Sequence, residues 1–153
     1  MNWQRCTGPM RRHWGRFGAA GLLVSVTEGD ATFVLLDERA GWVHHGGTVG
    51  IPGGAIHDGE DPLQAALREA EEEVRGLDPR VLSIAGSHVE PCPDCALWTY
   101  TTIIASTPRT VEVAPASFES AGLRWVPVAE VDALPLHPGF ATAWPKVRAR
   151  IRG

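Results

Sequence analysis

The sequence has no apolar run long enough to cross a membrane as a helix. Its longest mainly apolar stretch, Ala19–Val26, has eight residues, far fewer than the about 20 residues that a bilayer span requires. The residues that follow, Thr27–Asp30, are typical of a turn and lack the small-residue cleavage site of a secretory signal. We therefore expect a core strand at Ala19–Val26 and a cytoplasmic protein without membrane contact.

Cysteine is also scarce. The 153 residues contain three cysteines, Cys6, Cys92 and Cys95, and this low, odd number excludes a disulfide framework. Cys92 and Cys95 form one CxxC motif, whereas a zinc site needs a second pair of ligands at matching spacing. A polar loop with two reduced thiols is therefore favoured, and a zinc or redox site is the alternative.

An excess of basic residues is missing as well. Fourteen Lys and Arg residues stand against eighteen Asp and Glu residues, so the net charge is −4. Proteins that bind a nucleic acid polymer through its phosphates have more Lys and Arg than Asp and Glu. This excludes a nucleic acid polymer as the main partner. A small phosphate ligand remains compatible with the charge, because a few cations or a metal ion can neutralise it.

The chain does contain enough apolar material for one domain. Hydrophobic residues make up 44% of the sequence, and no repeat, linker or low-complexity tract divides it. We expect a single domain over residues 1–153, with residues 1–18 as an N-terminal extension. Trp3 and Trp14 in this extension are candidates for a homodimer contact.

Short apolar segments separated by turn residues predict strands. The predicted strands are Ala19–Val26, Thr32–Leu36, Val49–Pro52, Val81–Val89, Leu97–Ala105 and Gly122–Val128. Helices are predicted at Asp61–Val74, from about Val128 to Leu134 and at Phe140–Ile151. Mixed strands with few helices indicate an α+β fold or a layered α/β/α sandwich, with a mixed β-sheet between helices.

The helix at Asp61–Val74 has the clearest signals. Asp61 suits the N-cap, Pro62 suits the first helical position, and Gln64 can close a capping box. Gly76 is the predicted helix stop. The predicted buried face consists of Leu63, Leu67, Ala70 and Val74, which recur at helical spacing. In the C-terminal helix the residues predicted to face the core are Ala141, Trp144, Val147 and Ile151.

Five of the eleven glutamates lie within residues 60–73. Because residues three and four apart share a helix face, Glu69, Glu72 and Glu73 are predicted to project together, away from the apolar stripe, and Glu72 and Glu73 are predicted to face solvent. Three carboxylates on one face repel each other, and Mg²⁺ or Mn²⁺ would relieve that repulsion. The alternative is a solvated acidic face on a surface helix. The preceding Gly53-Gly54 turn favours the metal site.

The spacing of these residues resembles the Nudix box, GX5EX7REUXEE, in which U is apolar. The matching residues are Gly54, Glu60, Arg68, Glu69, Ala70, Glu72 and Glu73. The box spans residues 54–76, but its closing glycine, Gly76, falls one position late. We interpret this shift as a helix that is longer by one residue. By this resemblance the chain is similar to MutT-like Nudix hydrolases, and a Nudix fold is expected.

The resemblance implies roles for the residues of the box. Glu72 and Glu73 would bind the metal, Glu69 would be a metal ligand or the general base, and the Gly53 carbonyl would be a further ligand. Arg68 and Glu60 would orient the helix and the acids. The implied activity is Mg²⁺- or Mn²⁺-dependent hydrolysis of the diphosphate linkage in a nucleoside diphosphate joined to another moiety.

Candidates outside the box are supported by weaker signals. Glu119, in the loop before the strand predicted at Gly122–Val128, is a candidate metal ligand or general base, and the alternative is a solvated loop acid. The candidate substrate-binding residues are Gly54, Trp42, His44 and His45. Trp98 and Trp125 are weaker candidates for base stacking, because most tryptophans serve in packing.

Two other functions stay open. Hydrolysis of ADP-ribose or a nucleotide sugar is the first, since a proline about sixteen residues past the box marks such family members and Pro91 lies near that position. A non-catalytic nucleotide-sensing Nudix domain is the second. The complete set of box glutamates speaks against a sensor, because degenerate domains often lose them.

Overall fold

The computed structural model describes residues 17–93 and 97–151 and the backbone of residues 3–5 and 12–14. In the N-terminal region, Trp3–Arg5 and Arg12–Trp14 pair as an antiparallel ribbon with Trp3 opposite Trp14. The side chains of these two tryptophans lie outside the described residues, and the homodimer contact stays a prediction. Cys6 and Cys95 also lie outside them.

Eleven strands and two α-helices follow one another along the described chain. The strands are Trp3–Arg5 (β1), Arg12–Trp14 (β2), Ala19–Glu28 (β3), Ala31–Arg39 (β4), Val49–Gly50 (β5), Gly53–Ala55 (β6), Val74–Arg75 (β7), Ser83–Pro91 (β8), Thr99–Ser106 (β9), Ala114–Pro115 (β10) and Ser120–Pro127 (β11). The α-helices are Pro62–Glu73 (α1) and Pro138–Arg148 (α2). Neither helix is long and apolar enough to cross a bilayer.

A mixed sheet lies at the centre of the fold. Its strand order is β11-β4-β3-β9-β8, and β5 and β6 add to β4 and β3. Strands β3 and β9 run parallel, whereas β3 is antiparallel to β4 and to β6. The predicted mixed sheet is confirmed.

The sheet is buried between two layers. On the face of the sheet that α1 covers, the strand residues that pack together with helix residues are Ala20, Leu22, Val24, Leu35, Ile103 and Ala105. On the opposite face, which α2 covers, the packed strand residues are Leu23, Val34, Leu36, Ile104 and Val126. Strand β3 therefore has apolar neighbours on both sides, which explains why it is a continuous apolar run rather than an alternating one. The α-β-α sandwich is confirmed.

Helix α1 begins as its sequence predicts. The Asp61 carboxylate accepts a hydrogen bond from the backbone N–H of Gln64 at 2.8 Å, and the Gln64 side chain accepts one from the Asp61 N–H at 2.9 Å. The predicted buried face is partly wrong, because Leu63 is 36% exposed. The buried residues are Ala65, Ala66 and Ala70. Alanine has no atoms beyond Cβ, so the helix can lie close to the sheet.

The end of α1 differs from the predicted longer helix. The helix stops at Glu73, and Val74 is extended, with φ −122° and ψ 120°. The Val74–Arg75 pair forms β7, which is antiparallel to β10. Gly76 then turns the chain at φ +96°. The interpretation of a longer helix was wrong: the additional residue lies in an extended pair, because β10 offers it a hydrogen-bonding partner.

The C-terminal third of the chain also departs from its predicted bounds. The helix predicted near Val128 is a 3₁₀ helix, Val128–Ala133. The last helix begins earlier than predicted, after His137, and its buried residues are Phe140, Ala143, Trp144 and Val147. Ala141 is exposed, so its predicted place in the core was wrong.

His137 caps α2 as a neutral imidazole. Its Nδ1 accepts a hydrogen bond from the backbone N–H of Gly139 at 3.1 Å. Burial, followed by the neighbouring His45, lowers the pKa of His137 from 6.5 to about 4. The two rings are 4.8 Å apart between centroids.

This cap predicts a loss of stability in acid. Between pH 6.5 and about 4 the unfolded chain binds a proton at His137 and the folded chain does not, so the free energy of unfolding should fall as the pH drops through this window. His137→Asn keeps a capping acceptor without a titrating group and should flatten that part of the profile. Urea unfolding across the pH range measures it. An equally steep profile in the variant would contradict this account.

Candidate active site

Two glutamates of α1 lie against the glycine pair of β6. The Glu73 carboxylate accepts a hydrogen bond from the Gly53 N–H at 3.2 Å. A Cβ atom added at Gly54 would lie 2.5 Å from the Glu69 carboxyl carbon. Glycine at 54 is therefore required for the close approach of β6 to Glu69. The structure brings Gly53, Gly54, Glu69 and Glu73 together, as predicted.

The predicted solvent exposure is confirmed for Glu72 and wrong for Glu73. The Glu72 side chain is 57% exposed, whereas that of Glu69 is 14% exposed and Glu73 is half-buried. The physical reason is the alanine face of α1, which brings the helix close to β6. Burial, together with the charges of Glu69 and Asp37, raises the pKa of Glu73 well above its ordinary value.

Arg68 connects three parts of the site. Its Nε and Nη2 donate to the two carboxylate oxygens of Glu60 at 2.7 and 3.0 Å. Its Nη1 donates to Glu69 at 2.9 Å, and Nη2 donates to the Ala55 carbonyl at 2.9 Å. Such a two-pronged pairing fixes orientation as well as charge. Arg68 thus ties the loop before α1 to β6 and to Glu69.

The pairing also shifts the acid–base behaviour of both partners. The hydrogen bonds from Arg68 lower the pKa of Glu60 to about 2. The same hydrogen bonds, accepted by Glu60 and then by Glu69, raise the pKa of Arg68. A longer contact, at 3.4 Å, joins Arg68 Nη1 to the Glu72 carboxylate four residues later in the helix. Arg68 thus contacts both Glu60 and Glu69, and the role of the pair in orienting the acids stays a prediction.

A small pocket of about 40 Å³ opens beside Glu73. Its lining residues are Asp37, Arg39, Ile51, Gly53, Glu73, Ser117, Glu119 and Ser120. The loop that carries Glu119 is held at the end of α1, since the Ala116 N–H donates to the Glu73 carbonyl at 2.8 Å. Glu119 is exposed and shares the pocket with Glu73 and Gly53, as its loop position predicted.

Sequence reasoning missed Asp37 and Arg39 of β4. Alternate residues of a strand share a face, so both follow Leu35 onto the α1 side of the sheet, and that pattern could have revealed them. The Asp37 carboxylate accepts a hydrogen bond from the Ser120 hydroxyl, and burial raises the pKa of Asp37. Ser120 has no comparable sequence signal.

Tyr100 was missed as well. A Cβ atom added at Gly21 or Gly53 would lie 2.1 or 2.6 Å from the Tyr100 hydroxyl oxygen. The two glycines therefore make room for this ring under the Gly53-Gly54 pair. Burial, followed by the charges of Glu73 and Glu69, raises the pKa of Tyr100.

The predicted substrate-binding residues of the loop 40–48 do not line the pocket beside Glu73. The His44 carbonyl accepts from Arg39 Nε at 2.8 Å, and the His45 carbonyl accepts from the Thr48 hydroxyl at 2.6 Å. Trp42 is 73% exposed. The two histidines brace their own loop through their backbone, and binding by their rings stays a prediction.

The other aromatic candidates and the CxxC motif lie elsewhere. Trp125 packs on the core, and its Nε1 donates to the Val111 carbonyl at 3.0 Å. The Trp98 ring lies 6.4 Å from that of Tyr100 between centroids. Cys92 is buried, and its N–H donates to the Trp98 carbonyl at 2.8 Å. The motif is not described as a whole, because Cys95 lies outside the described residues.

Among the described residues, no three carboxylate, imidazole or thiol groups converge closely enough to enclose a metal ion. One oxygen of Glu69 is engaged by Arg68, and Glu72 extends into solvent.

Comparison with known proteins shows the family of the chain. The NUDIX domain family matches residues 15–146. A Mycobacterium tuberculosis protein provisionally named 8-oxo-dGTP diphosphatase 3 is 48% identical over 140 residues, which cover 89% of this chain and 64% of the relative. A nucleoside triphosphate pyrophosphatase/Nudix hydrolase fusion protein of Bifidobacterium longum is 40% identical over 146 residues, covering 92% of this chain and 30% of the relative.

A solved structure agrees with these relatives. The crystal structure of the Nudix hydrolase RenU from M. smegmatis has a TM-score of 0.88 and 42% identity, and the match covers 99% of this chain and 96% of that one. The chain spans 64% and 30% of the lengths of the two relatives above. From the family match, the relatives and the fold, the chain belongs to the Nudix hydrolase family.

Proposed function

We propose that this chain is a divalent-metal-dependent hydrolase that cuts the diphosphate linkage of a nucleoside diphosphate joined to another moiety. One observation carries the proposal. Glu69 and Glu73 lie against the Gly53-Gly54 pair, and Glu73 lines a small pocket together with Glu119. Acids on two elements thus approach the same small space.

The donor set fits a hard divalent ion. Nudix hydrolases generally use divalent metal ions, and oxygen ligands suit Mg²⁺ and Mn²⁺. Burial, followed by the charges of Glu69 and Asp37, raises the pKa of Glu73, and a bound cation would offset both effects. The ion would be held by Glu69, Glu72, Glu73 and the Gly53 carbonyl. When bound, it would neutralise phosphate charge and lower the pKa of the attacking water.

The remaining residues supply binding and proton transfer in this proposal. Arg39, a cation that lines the pocket, would neutralise phosphate oxygens. Arg68 would position Glu69 through the bond at 2.9 Å. Glu119 would accept the proton of the attacking water, because its carboxylate is exposed at the pocket while one oxygen of Glu69 is already engaged.

The substrate class is proposed to be nucleoside triphosphates, including oxidised ones. The relative named for 8-oxo-dGTP is 48% identical to this chain, which favours a nucleotide-pool sanitising role. ADP-ribose or nucleotide-sugar hydrolysis is the competing candidate, supported by Pro91 at the end of β8. A sensing domain without turnover is disfavoured, because the acids of the box are all in place.

A substrate panel separates these candidates. The purified protein is incubated with dGTP, 8-oxo-dGTP, ADP-ribose and a nucleotide sugar in Mg²⁺, and products are identified by chromatography. Selective turnover of the triphosphates supports the proposed substrate class. Preference for ADP-ribose or the nucleotide sugar would replace that class, and no turnover of any compound would favour the sensor.

Removal of metal is expected to abolish turnover. The reason is that the pocket holds carboxylates where a polyphosphate has to approach, so an anionic substrate meets repulsion unless a cation intervenes. The rate is measured in Mg²⁺, in Mn²⁺ and in excess EDTA, and Mg²⁺ is then restored as a control for irreversible damage. Full turnover in excess EDTA would contradict the proposal.

A further inference from the structure

Strand β11 begins with an irregular pairing to β4. Ser120 lies opposite Arg39, and Gly122 lies opposite Glu38, so Ala121 is an additional residue in β11. Such a β-bulge bends the strand and changes the direction of the side chains next to it, and bulges are common beside active sites. This bulge lies directly after Glu119, at the edge of the pocket beside Glu73.

The bulge decides which side chain of β11 reaches the site. Leu123 lies opposite Asp37 and packs against the core on the α1 side of the sheet. In a regular strand Ala121 would share that side with Leu123, because alternate side chains point the same way. The additional residue puts Ser120 there instead, and the Ser120 hydroxyl donates a hydrogen bond to the Asp37 carboxylate.

The acceptor of this hydrogen bond is a strong one on a rigid element. The hydroxyl has one hydrogen to donate, and the Asp37 carboxylate is a stronger acceptor than the Gly122 carbonyl, which lies at 3.3 Å. Asp37 is half-buried, so less water competes for the bond. Its strand β4 is fixed in the sheet between β11 and β3. Ser120 is therefore anchored to the centre of the fold.

Two further hydrogen bonds hold the backbone of Glu119. The Ala40 N–H donates to the Glu119 carbonyl at 2.7 Å, and the Glu119 N–H donates to the Ser117 hydroxyl at 3.2 Å. Together with the anchor at Ser120, these bonds fix the chain on both sides of Glu119. The Glu119 side chain is exposed and lines the pocket beside Glu73, so its position there depends on how its backbone is held.

We propose that Ser120 is a positioning residue of the active site: anchored on Asp37, it holds the Glu119 carboxylate at the pocket beside Glu73. This assignment rests on the proposed hydrolysis, in which Glu119 accepts the proton of the attacking water. A displacement of about 1 Å in a reacting group can lower a rate by about 10². Loss of the anchor therefore affects kcat, whereas KM depends mainly on contacts made by other residues.

Ser120→Ala removes the donor and leaves every carboxylate in place. With dGTP at saturating Mg²⁺, its kcat should fall about ten-fold or more while KM changes little. Ser120→Thr keeps the hydroxyl and should retain most of the rate. Thr32→Val is the matched control, since the Thr32 hydroxyl lies 3.1 Å from that of Thr27 at the other end of β4. A wild-type kcat in Ser120→Ala would overturn the inference and leave the hydrolysis standing.

Double variants show whether Ser120 acts through Glu119. If it does, adding Ser120→Ala to Glu119→Gln should cause no further loss of kcat, because the base is already absent. Adding it to Asp37→Ala should also cause no further loss, because the acceptor is already absent. Losses that multiply in either pair would overturn the inference, since they would show an independent role for Ser120. A wild-type rate in Glu119→Gln would overturn it as well.

Hydrogen exchange, measured by mass spectrometry, tests the anchor without turnover. In Ser120→Ala the amides of residues 119 and 120 should exchange about ten-fold faster, the scale for loss of one hydrogen bond to a charged group, while those of α1 keep their rates. Unchanged exchange at these two residues would overturn the inference whether or not dGTP is hydrolysed. Faster exchange in a protein whose wild type hydrolyses no nucleotide would support the anchor and overturn the proposed function together with the catalytic role of Glu119.

Discussion

Glu73→Gln is expected to lower the rate of nucleotide hydrolysis by a factor of roughly 10² or more, the scale for loss of charge stabilisation in a transition state. The substitution keeps the size of the side chain and an oxygen that can accept from the Gly53 N–H, now at 3.2 Å. It removes the charge that would bind the ion. Glu72→Gln should have a similar effect on the rate.

The same variant should be more stable than wild type without metal. Burial, followed by the charges of Glu69 and Asp37, raises the pKa of Glu73, so a neutral amide removes the cost of placing a charge there. Glu71→Gln is the matched control, since Glu71 is an exposed glutamate of the same helix. Rates at saturating Mg²⁺ and thermal melts in EDTA measure the two effects. Near wild-type rates in both the Glu72 and Glu73 variants would contradict the assignment.

Glu119→Gln is expected to reduce kcat by about 10² or more, the range for loss of a general base. The loop of Glu119 is fixed to the end of α1 by the bond from the Ala116 N–H to the Glu73 carbonyl, so its carboxylate remains near the acids. The amide cannot accept the proton of the attacking water. The KM should change less than kcat, because the substrate is held mainly by other residues.

The control for this variant is Glu112→Gln, which removes an exposed charge earlier in the same connection. Initial rates of both variants and of wild type are measured at saturating Mg²⁺. The prediction is contradicted if Glu119→Gln has the wild-type rate under conditions in which the Glu73 variant is inactive. Glu119 would then be a solvated loop acid without a role in catalysis. Glu69 would then be the better candidate for the base.

The parts of the site that could be predicted from the sequence depend on local spacing. The capping residues Asp61 and Gln64 lie within one helical turn, and the period of the helix alone puts Glu69, Glu72 and Glu73 on one side. Arg68 could be placed among the acids for the same reason. These relations need no knowledge of what packs against the helix.

The parts that were missed depend on contacts between distant segments. The burial of Glu73 follows from the approach of β6, which lies 20 residues earlier in the chain. The bond between Asp37 and Ser120 joins positions 83 residues apart. The extended Val74–Arg75 pair exists because β10 lies beside it. Periodicity within one helix or strand contains none of this information.

Misplaced core residues have a related cause. Leu63 and Ala141 fit the helical period of their segments, yet both positions face solvent because the sheet contacts a different side of each helix. Ala65 and Ala66 lie on the side of α1 that contacts the sheet. Their small side chains allow the helix to pack more closely than the larger Leu63 would. Apolar character alone did not indicate this preference for small residues.

Hydrolysis of a diphosphate linkage by water is the central claim, and incorporation of ¹⁸O from labelled water tests it most directly. Wild-type protein, Mg²⁺ and a nucleoside triphosphate are incubated in H₂¹⁸O, and the phosphorus-containing products are analysed by mass spectrometry. We expect one labelled oxygen in one of the two products, with the reaction lost in Glu73→Gln. Absence of product from every nucleotide tested, or product without the label, would contradict the account.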